Sequence, residues 1–439
     1  MNPSSFLGRS FDCECGRKHS VPLREVIYAP AAAAQLPGVV RRLVPGANRI
    51  TILADKRTYA VAGRACENAL SNAGLAVQTL IVRDPTPGAS PVCDDLTLRA
   101  LQPMMPPTDM LLAVGAGVIS DLTKWLAHEN SLPYMTFATA ASMNGYASSN
   151  IAPAIDGVKR VVEGVSPIAV ITDPDVLVKA PYVLTTAGLG DVMAKPISIC
   201  DWQISNLLFG EYYCPVCAQM IRDLEPGYSR RPAELAQGNP TAMEALFQAL
   251  IYSGVSMTMA ATSFPASGGE HLISHALDMI AMERGLQHDY HGRQVGLGTI
   301  FAAALYQRLL DLPMPDFRTV TEPTDTAYWG GLAAEVETEH AHKRQRAAIA
   351  ADRLRNEPAL RHSLRRIIAD NFISPAEIKQ RLAAAGAAHR VEDIGCTKAH
   401  FLEAAAHCHQ LRARYTVIDL ARAAGIMPAA ASEIVDEFL

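Results

Sequence analysis

The sequence predicts an α/β N-terminal domain over residues 1–180, built on a parallel sheet, followed by an all-α C-terminal domain over residues 181–439. Three observations carry this expectation. The first 180 or so residues alternate short, β-rich apolar runs with stretches of helical spacing, the pattern of a parallel sheet wrapped by helices. Beyond Pro181 the β-branched runs fade, and Ala, Leu, Met and Glu dominate long stretches. At 439 residues and 49% hydrophobic content, the chain has material for two cores.

In chain order, the expected strands are Ile50–Ala54, Thr79–Val82, Met110–Val114, Tyr134–Ala138 and Ile168–Thr172. Each is short, bounded by turn formers or charges, and followed by a helical stretch, so buried parallel strands fit better than surface ones. This alternation is that of a Rossmann-like domain. In the second half, Thr241–Thr262 and Arg344–Asp370 read as helices. Near the C-terminus Ser374 offers an N-cap oxygen, Pro375 suits the first turn, and Glu377 stands where a capping-box carboxylate reaches back. That helix, Pro375–Ala385, is expected to end at Gly386. With no low-complexity linker, the domains are expected to meet in a cleft rather than hang on a tether.

Composition narrows the function. A net charge of -5 and a pI near 6.2 leave no basic surplus for a phosphate backbone, so no nucleic-acid partner is expected. A small-molecule substrate is expected instead. The first twenty residues hold no apolar run of signal-peptide length, and no apolar stretch reaches the roughly 18 residues that span a bilayer. A cytoplasmic homo-oligomer with no membrane insertion is the expectation. Nine scattered cysteines argue for reduced thiols rather than a disulfide framework. Cys13 and Cys15 precede His19, and Cys214 with Cys217 forms a C-x-x-C pair, so together they could hold a structural zinc. Neither cluster is a complete zinc-ribbon half-site, and spacing alone favours a plain hairpin and a helix edge.

The segment from Met110 to Ala127 runs from an apolar strand through Gly115 and Gly117 into a helix opening near Ser120 and Asp121. Glycines at such a turn let backbone N–H groups approach a phosphate, and a helix N-terminus favours its charge. A tight strand-to-helix turn explains the same residues, since a full GxGxxG is missing. Asp55 closes an apolar run and could accept hydrogen bonds from a ribose while repelling a 2′-phosphate, which favours NAD over NADP. It could equally cap the helix that follows.

The strongest constellation lies in the second half. His271 and His275 are spaced i, i+4 and share one helix face, and His291 stands just before Gly292 at the start of the next helical stretch. Histidines gathered in this way, with one carboxylate, make a first-row metal site with open positions. Asp191 is the natural carboxylate, because Gly188 and Gly190 mark a turn and the helix after it can hold the side chain.

These motifs, taken together, resemble those of the sn-glycerol-1-phosphate dehydrogenases. The superfamily also holds iron-containing alcohol dehydrogenases, glycerol dehydrogenase and 3-dehydroquinate synthase. The resemblance runs through Ile50-TILADKRTYAVAG, Gly115-AGVISDLTK, Thr139-AASMNGYASS, Ile171-TDPDVL, Gly188-LGDVMAK with Asp201-Trp202, Glu270-HLISHALD, His291-Gly292 and Arg414-YTVIDL. It implies a dehydroquinate synthase-like fold and metal-dependent, NAD(P)-linked reduction of dihydroxyacetone phosphate to sn-glycerol 1-phosphate, or the reverse. It further implies that Gly117, Val118, Ile119, Ser120 and Asp121 cradle the pyrophosphate, and that Thr139 to Ser142 with Ser148 line the nicotinamide. By the same resemblance Asp191, His271 and His291 hold the metal, commonly zinc or nickel and iron in relatives, while His275 faces the substrate and Asp191 touches both.

One departure stands inside a motif. Where the family reads Ser-Met-Asp-Gly, with the Asp contacting substrate, this chain has Ser142-Met143-Asn144-Gly145. Asn144 keeps the size and an acceptor oxygen but loses the charge, which leaves open another small polyol or carbonyl substrate. For the substrate phosphate, Lys195 and Arg293 are the basic candidates. A 3-dehydroquinate synthase-like cyclase fits less well, since that class usually has Glu where this chain has Asp191. A silent nucleotide-binding paralogue is recommended by Asn144 alone, and four polar groups kept together argue against it.

Overall fold

In the computed structural model, which describes every residue except Met1, Pro87, Gly157 and Met314, a six-stranded sheet forms the first architectural layer. Strands β1 (Ser10–Asp12) and β2 (Lys18–Ser20) form a separate antiparallel hairpin. The sheet comprises β3 (Glu25–Tyr28), β4 (Arg49–Asp55), β5 (Ala76–Val82), β6 (Met110–Gly115), β7 (Tyr134–Ala138) and β12 (Ala169–Thr172). Four two-residue strands, β8 (Asn150–Ile151), β9 (Ala154–Ile155), β10 (Val158–Lys159) and β11 (Val162–Glu163), pair as two small ribbons before the last of these. The order is β3-β12-β7-β6-β4-β5, and every pairing in the sheet is parallel.

Why these segments are strands follows from burial on both faces. Ile50, Ile52 and Ala54 of β4 join Met110, Leu112 and Val114 of β6 in one core, while Leu53, Leu111 and Ala113 face the other. A strand buried on both sides reads as a near-continuous apolar run, as Ile50–Ala54, Met110–Val114, Tyr134–Ala138 and Ile168–Thr172 do, whereas β5 lies at the other edge with burial that alternates along it. The sixth, β3, escaped the sequence reading because it is a four-residue edge strand with Glu25 and Tyr28 at its ends and only half-buried side chains.

The chain divides into two compact units, Met1–Gly188 with Gln219–Ala261, and Leu189–Ala218 with Thr262–Leu439. The sequence suggested one boundary near residue 181. In the first unit the helix Pro240–Ala260 packs on the turn Asn144–Ala147 at Gly254, where a Cβ would come 2.5 Å from the Asn144 carbonyl oxygen, and this groups Gln219–Ala261 with the sheet.

Three local readings are corrected. Arg344–Asp370 is two helices, Ala333–Asn356 and Pro358–Asn371, because Pro358 forces Glu357 into an extended conformation with φ -112° and ψ 90°. Ser374 caps Pro375–Ala384 as expected, accepting from the Glu377 N–H at 3.2 Å, but the Glu377 carboxylate pairs with Arg381 at 2.6 Å instead of closing a capping box. Finally, Gly188 and Gly190 do not mark a turn. They lie inside the helix Tyr182–Met193, where they allow backbone to approach: a Cβ on Gly190 would sit 2.1 Å from the Gly292 carbonyl oxygen. Among the described residues no helix is long and apolar enough to cross a membrane.

Candidate functional site

In the second unit, close helix packing builds a cluster of imidazole and carboxylate. Asp191 comes from the helix Tyr182–Met193, His271 and His275 from Gly269–Glu283, and His291 is the first residue of His291–Asp311. Small residues set the approach. Gly190 meets the backbone at Gly292, and a Cβ on Gly298 would come 2.4 Å from the Glu270 carbonyl oxygen, so larger residues would separate these helices.

The rings of His271 and His291 have centroids 5.3 Å apart, and His275 lies 5.4 Å from His291 and 6.2 Å from His271. Two imidazoles sharing one tetrahedral ion at metal–nitrogen distances of about 2.0–2.1 Å put their ring centres roughly 5 Å apart, and the His271–His291 separation is of that size. The hydrogen bonds fit as well. His271 Nδ1 donates to Glu270 Oε1 at 2.7 Å. His291 Nδ1 donates to Ser274 Oγ at 2.9 Å, and that hydroxyl donates to Gln294 Oε1 at 2.9 Å. With Nδ1 held from behind, each ring presents Nε2 as its ligand atom, the usual arrangement behind a metal.

Asp191 is 2% exposed, and its Oδ1 lies 3.6 Å from His271 Nε2 and 2.8 Å from Lys195 Nζ. Burial alone would raise its pKa, but the Lys195 ammonium and the neighbouring imidazoles outweigh that and hold the carboxyl well below the usual range. His271 shows the opposite balance: burial would lower its pKa, and its contacts with Asp191 and Glu270 raise it. The cluster therefore offers one anionic oxygen and two oriented imidazoles, a donor set suited to a divalent first-row ion. Lys195, a candidate phosphate contact by sequence, is instead 1% exposed, bonded to Asp191 and to the Ala266 carbonyl at 2.9 Å. Arg293 is ion-paired with Asp289 at 2.6 Å.

In the first unit, β6 ends at Gly115 and the helix Gly117–Glu129 begins two residues on, with Ala116 extended and no side chain capping the first turn. Gly115 is required by packing, since a Cβ there would meet Ile119 Cβ at 2.5 Å, whereas a Cβ on Gly117 would meet only Met143 at 3.5 Å. Val118, Ile119 and Ser120 form the first turn, and Ser120 Oγ is buried with no hydrogen-bond partner among the described residues. An uncapped N-terminus of a 13-residue helix after a glycine turn is the geometry that receives a phosphate. Asp121 accepts from the buried Lys124 at 3.2 Å and from the Ala152 N–H at 3.3 Å. Thr139 follows β7, bonded through its N–H to the Gly115 carbonyl at 3.2 Å, and Ser148 Oγ donates to the Gly145 carbonyl at 3.2 Å. Ser142 and Asn144 lie half-buried in the same loop. Asp55 ends β4, and its Oδ1 accepts from the N–H groups of Arg57 and Thr58 at 2.7 and 3.0 Å, so it caps the next short helix.

Residues 27–181 match the iron-containing alcohol dehydrogenase family. The protein named glycerol-1-phosphate dehydrogenase (NAD(P)+) from Halalkalibacterium halodurans is 30% identical over 414 residues, covering 93% of this chain and 94% of that one. Its namesake from Thermococcus kodakarensis is 33% identical over 313 residues, covering 71% and 86%. The chain belongs to the glycerol-1-phosphate dehydrogenase family. A glycerol dehydrogenase structure from Schizosaccharomyces pombe superposes with a TM-score of 0.62 at 16% identity, covering 94% of this chain and 91% of that one, which bears on the fold alone.

In this member of the glycerol-1-phosphate dehydrogenase family, the residues behind the imidazoles stand within the motifs of the resemblance, which gave them no role. Glu270, wholly buried, holds His271 and also accepts from the Gly268 N–H at 2.8 Å. Asp201 accepts from Tyr306 and from the N–H groups of Gly269 and Val417 at 2.7 and 2.8 Å, tying down the start of the His271 helix. Burial, then the nearby Glu270 charge, pushes the Asp201 carboxyl up to about 7. Apart from those motifs, the signal was a charged residue amid apolar neighbours in a helical stretch, which spacing rules do not distinguish from a surface position.

Proposed function

We propose that this chain catalyses metal-dependent, NAD(P)-linked reduction of dihydroxyacetone phosphate to sn-glycerol 1-phosphate, or the reverse, with NAD favoured and zinc ahead of nickel or iron. The observation that carries this reading is the set Asp191, His271 and His291, with Glu270 and Ser274 behind its rings, in a chain 30% identical over 93% of its length to a glycerol-1-phosphate dehydrogenase. A divalent ion on these three residues would polarise the substrate carbonyl as a Lewis acid, and a bound nicotinamide would supply the hydride.

The chain's own residues do the remainder. Lys195 keeps Asp191 ionised and fixed in place. Glu270 and Ser274 lock the tautomers of His271 and His291 so that Nε2 carries the lone pair. His275, half-buried one turn beyond His271, relays a proton to the substrate oxygen through a ring nitrogen. Asn144 bonds a substrate hydroxyl without adding charge. The first-turn N–H groups at Gly117, Val118 and Ile119, with Ser120 and Asp121, receive the pyrophosphate; Thr139, Ser142 and Ser148 line the nicotinamide; Asp55 faces the ribose. On this reading residues 1–180 form the nucleotide-binding domain and 181–439 the metal- and substrate-binding domain.

The test is a substrate panel on metal-reconstituted enzyme with NADH and NADPH. Turnover of dihydroxyacetone phosphate well above that of related ketones and aldehydes is expected. Negligible turnover of it, beside strong turnover of another panel member, overturns the substrate while leaving the dehydrogenase class standing.

A further inference from the structure

We propose that the N-terminal hairpin is a second metal site, binding one zinc ion through Cys13, Cys15 and His19 and distinct from the Asp191, His271 and His291 set. The sequence Cys13-Glu-Cys-Gly-Arg-Lys-His19 supplies three donors in seven residues. Spacing alone left them as an ordinary hairpin; the fold adds their convergence.

The turn between β1 and β2 does the folding back. The Cys13 N–H donates to the Arg17 carbonyl at 3.0 Å and the Gly16 N–H to the Cys13 carbonyl at 2.9 Å, with Gly16 at φ +82°, a conformation that residues with side chains rarely adopt. Phe11 pairs with His19 across the hairpin, so the ring lies beside the turn that carries the thiols. One donor atom from each of Cys13, Cys15 and His19 lies within 4.8 Å of the others, and Cys15 Sγ is 3.4 Å from His19 Nε2. With zinc–sulfur and zinc–nitrogen bonds of about 2.3 and 2.0 Å, the sulfur–nitrogen edge of a tetrahedral site is about 3.5 Å. The pair is already at ligand separation.

The histidine is prepared from behind. His19 is 1% exposed, and its Nδ1 donates to the Met259 carbonyl at 2.7 Å. That bond leaves Nε2 as the lone-pair nitrogen facing sulfur, as in the imidazoles of structural zinc sites. Thiolates with one imidazole select zinc over the oxygen-seeking ions. A site here also has a physical purpose. Each strand has only three residues, and most of their side chains are exposed, so the hairpin has little apolar surface to bury, and isolated two-stranded hairpins are marginal in water. A structural ion would contribute folding free energy directly.

Cobalt separates this site from the other one. Asp191, His271 and His291 contain no sulfur, so a thiolate-to-cobalt charge-transfer band in the cobalt(II)-reconstituted full chain reports a cysteine site and not that set, and its loss in Cys13→Ser/Cys15→Ser assigns it to the hairpin. The band is expected in wild type, and in His271→Ala, and is expected to vanish in Cys13→Ser/Cys15→Ser. Elemental analysis of the zinc protein should show one ion per chain lost in the double variant and a different one lost in His271→Ala. Tetrahedral zinc takes a fourth donor, so Cys214→Ser and Cys217→Ser are measured alongside. Zinc loss in either supports the site and supplies its fourth ligand; retention in both, with loss in the double variant, supports the three-donor form with an exogenous ligand. A cobalt-loaded wild type without the band, or a Cys13–Cys15 disulfide in protein purified without reductant, overturns the proposal even if the double variant fails to fold. None of these outcomes depends on the substrate of the enzyme.

Discussion

An imidazole can be aimed at a metal only as well as the group behind it is held, and for the proposed ligands His271 and His291 those groups are a buried carboxylate and a serine hydroxyl. Removing a ligand and removing its support should therefore differ in degree. His271→Ala is expected to purify with its share of metal gone, whereas Glu270→Gln should keep the ion but bind it roughly 10- to 100-fold more weakly in chelator competition. Full metal content in His271→Ala would remove His271 from the ligand set. Asp55 poses a different residue-scale question, because one carboxylate has two uses. Its Oδ1 caps the helix after β4, so Asp55→Ala should cost about 1 kcal/mol of stability whatever the cofactor. If the same carboxylate also meets a ribose, titration of NADH and NADPH should show their affinities drawing together in the variant. A stability loss with an unchanged preference would leave Asp55 as a cap alone.

Elements explain why some of the site was legible in the sequence and some was not. The i, i+4 spacing of His271 and His275, and His291 at a helix start, could be read directly, since a helix fixes which side chains share a face. Four of the six sheet strands were legible because burial on both faces leaves a near-uninterrupted apolar run, and β5, at an edge, was legible only in its apolar end Thr79–Val82. The glycines around Asp191 were misread, because a glycine in sequence signals freedom of the backbone and cannot say whether a turn or a neighbouring helix uses it. At Gly190 the neighbour is the Gly292 carbonyl, 2.1 Å from where a Cβ would stand. Gly190→Ala is expected to push the Asp191 helix away from the start of the His291 helix. Overpacking of this kind costs about 1–3 kcal/mol, and the ligand set should open with it, lowering both melting temperature and metal content. A variant with wild-type metal affinity and a lowered melting temperature would show that the ligands adjust independently of the backbone contact.

At the scale of the whole molecule, the second unit hides charge that its sequence advertises as surface. Glu337-TEHAHKRQR-Ala347 looks like a solvated helix face, yet His340 and Lys343 are buried, Lys343 pairs with Asp419 at 2.8 Å, and His409 is 3% exposed. No spacing rule could have found this, because the partners come from segments some 70 residues away along the chain. Burial first, then the positive charges of Arg344 and Lys343, push the His340 pKa down to about 4 against the partial opposition of Glu337, and burial with Lys343 and His340 drives His409 down as well. The sign for stability follows. A histidine whose folded pKa is depressed binds fewer protons folded than unfolded between its unfolded value of about 6.5 and the folded one, so its contribution is intact above that window and is lost as pH falls through it. The protein should therefore lose melting temperature steeply between about pH 6.5 and 4. Metal release from the imidazoles would act in the same direction, so the measurement is made on chelator-stripped protein, comparing wild type with His340→Gln. The variant is expected to be less stable than wild type near neutrality, having lost a fitted ring, and to show a shallower fall on acidification, so that the two curves converge at low pH. Parallel curves across the window would move the acid sensitivity away from this buried pair.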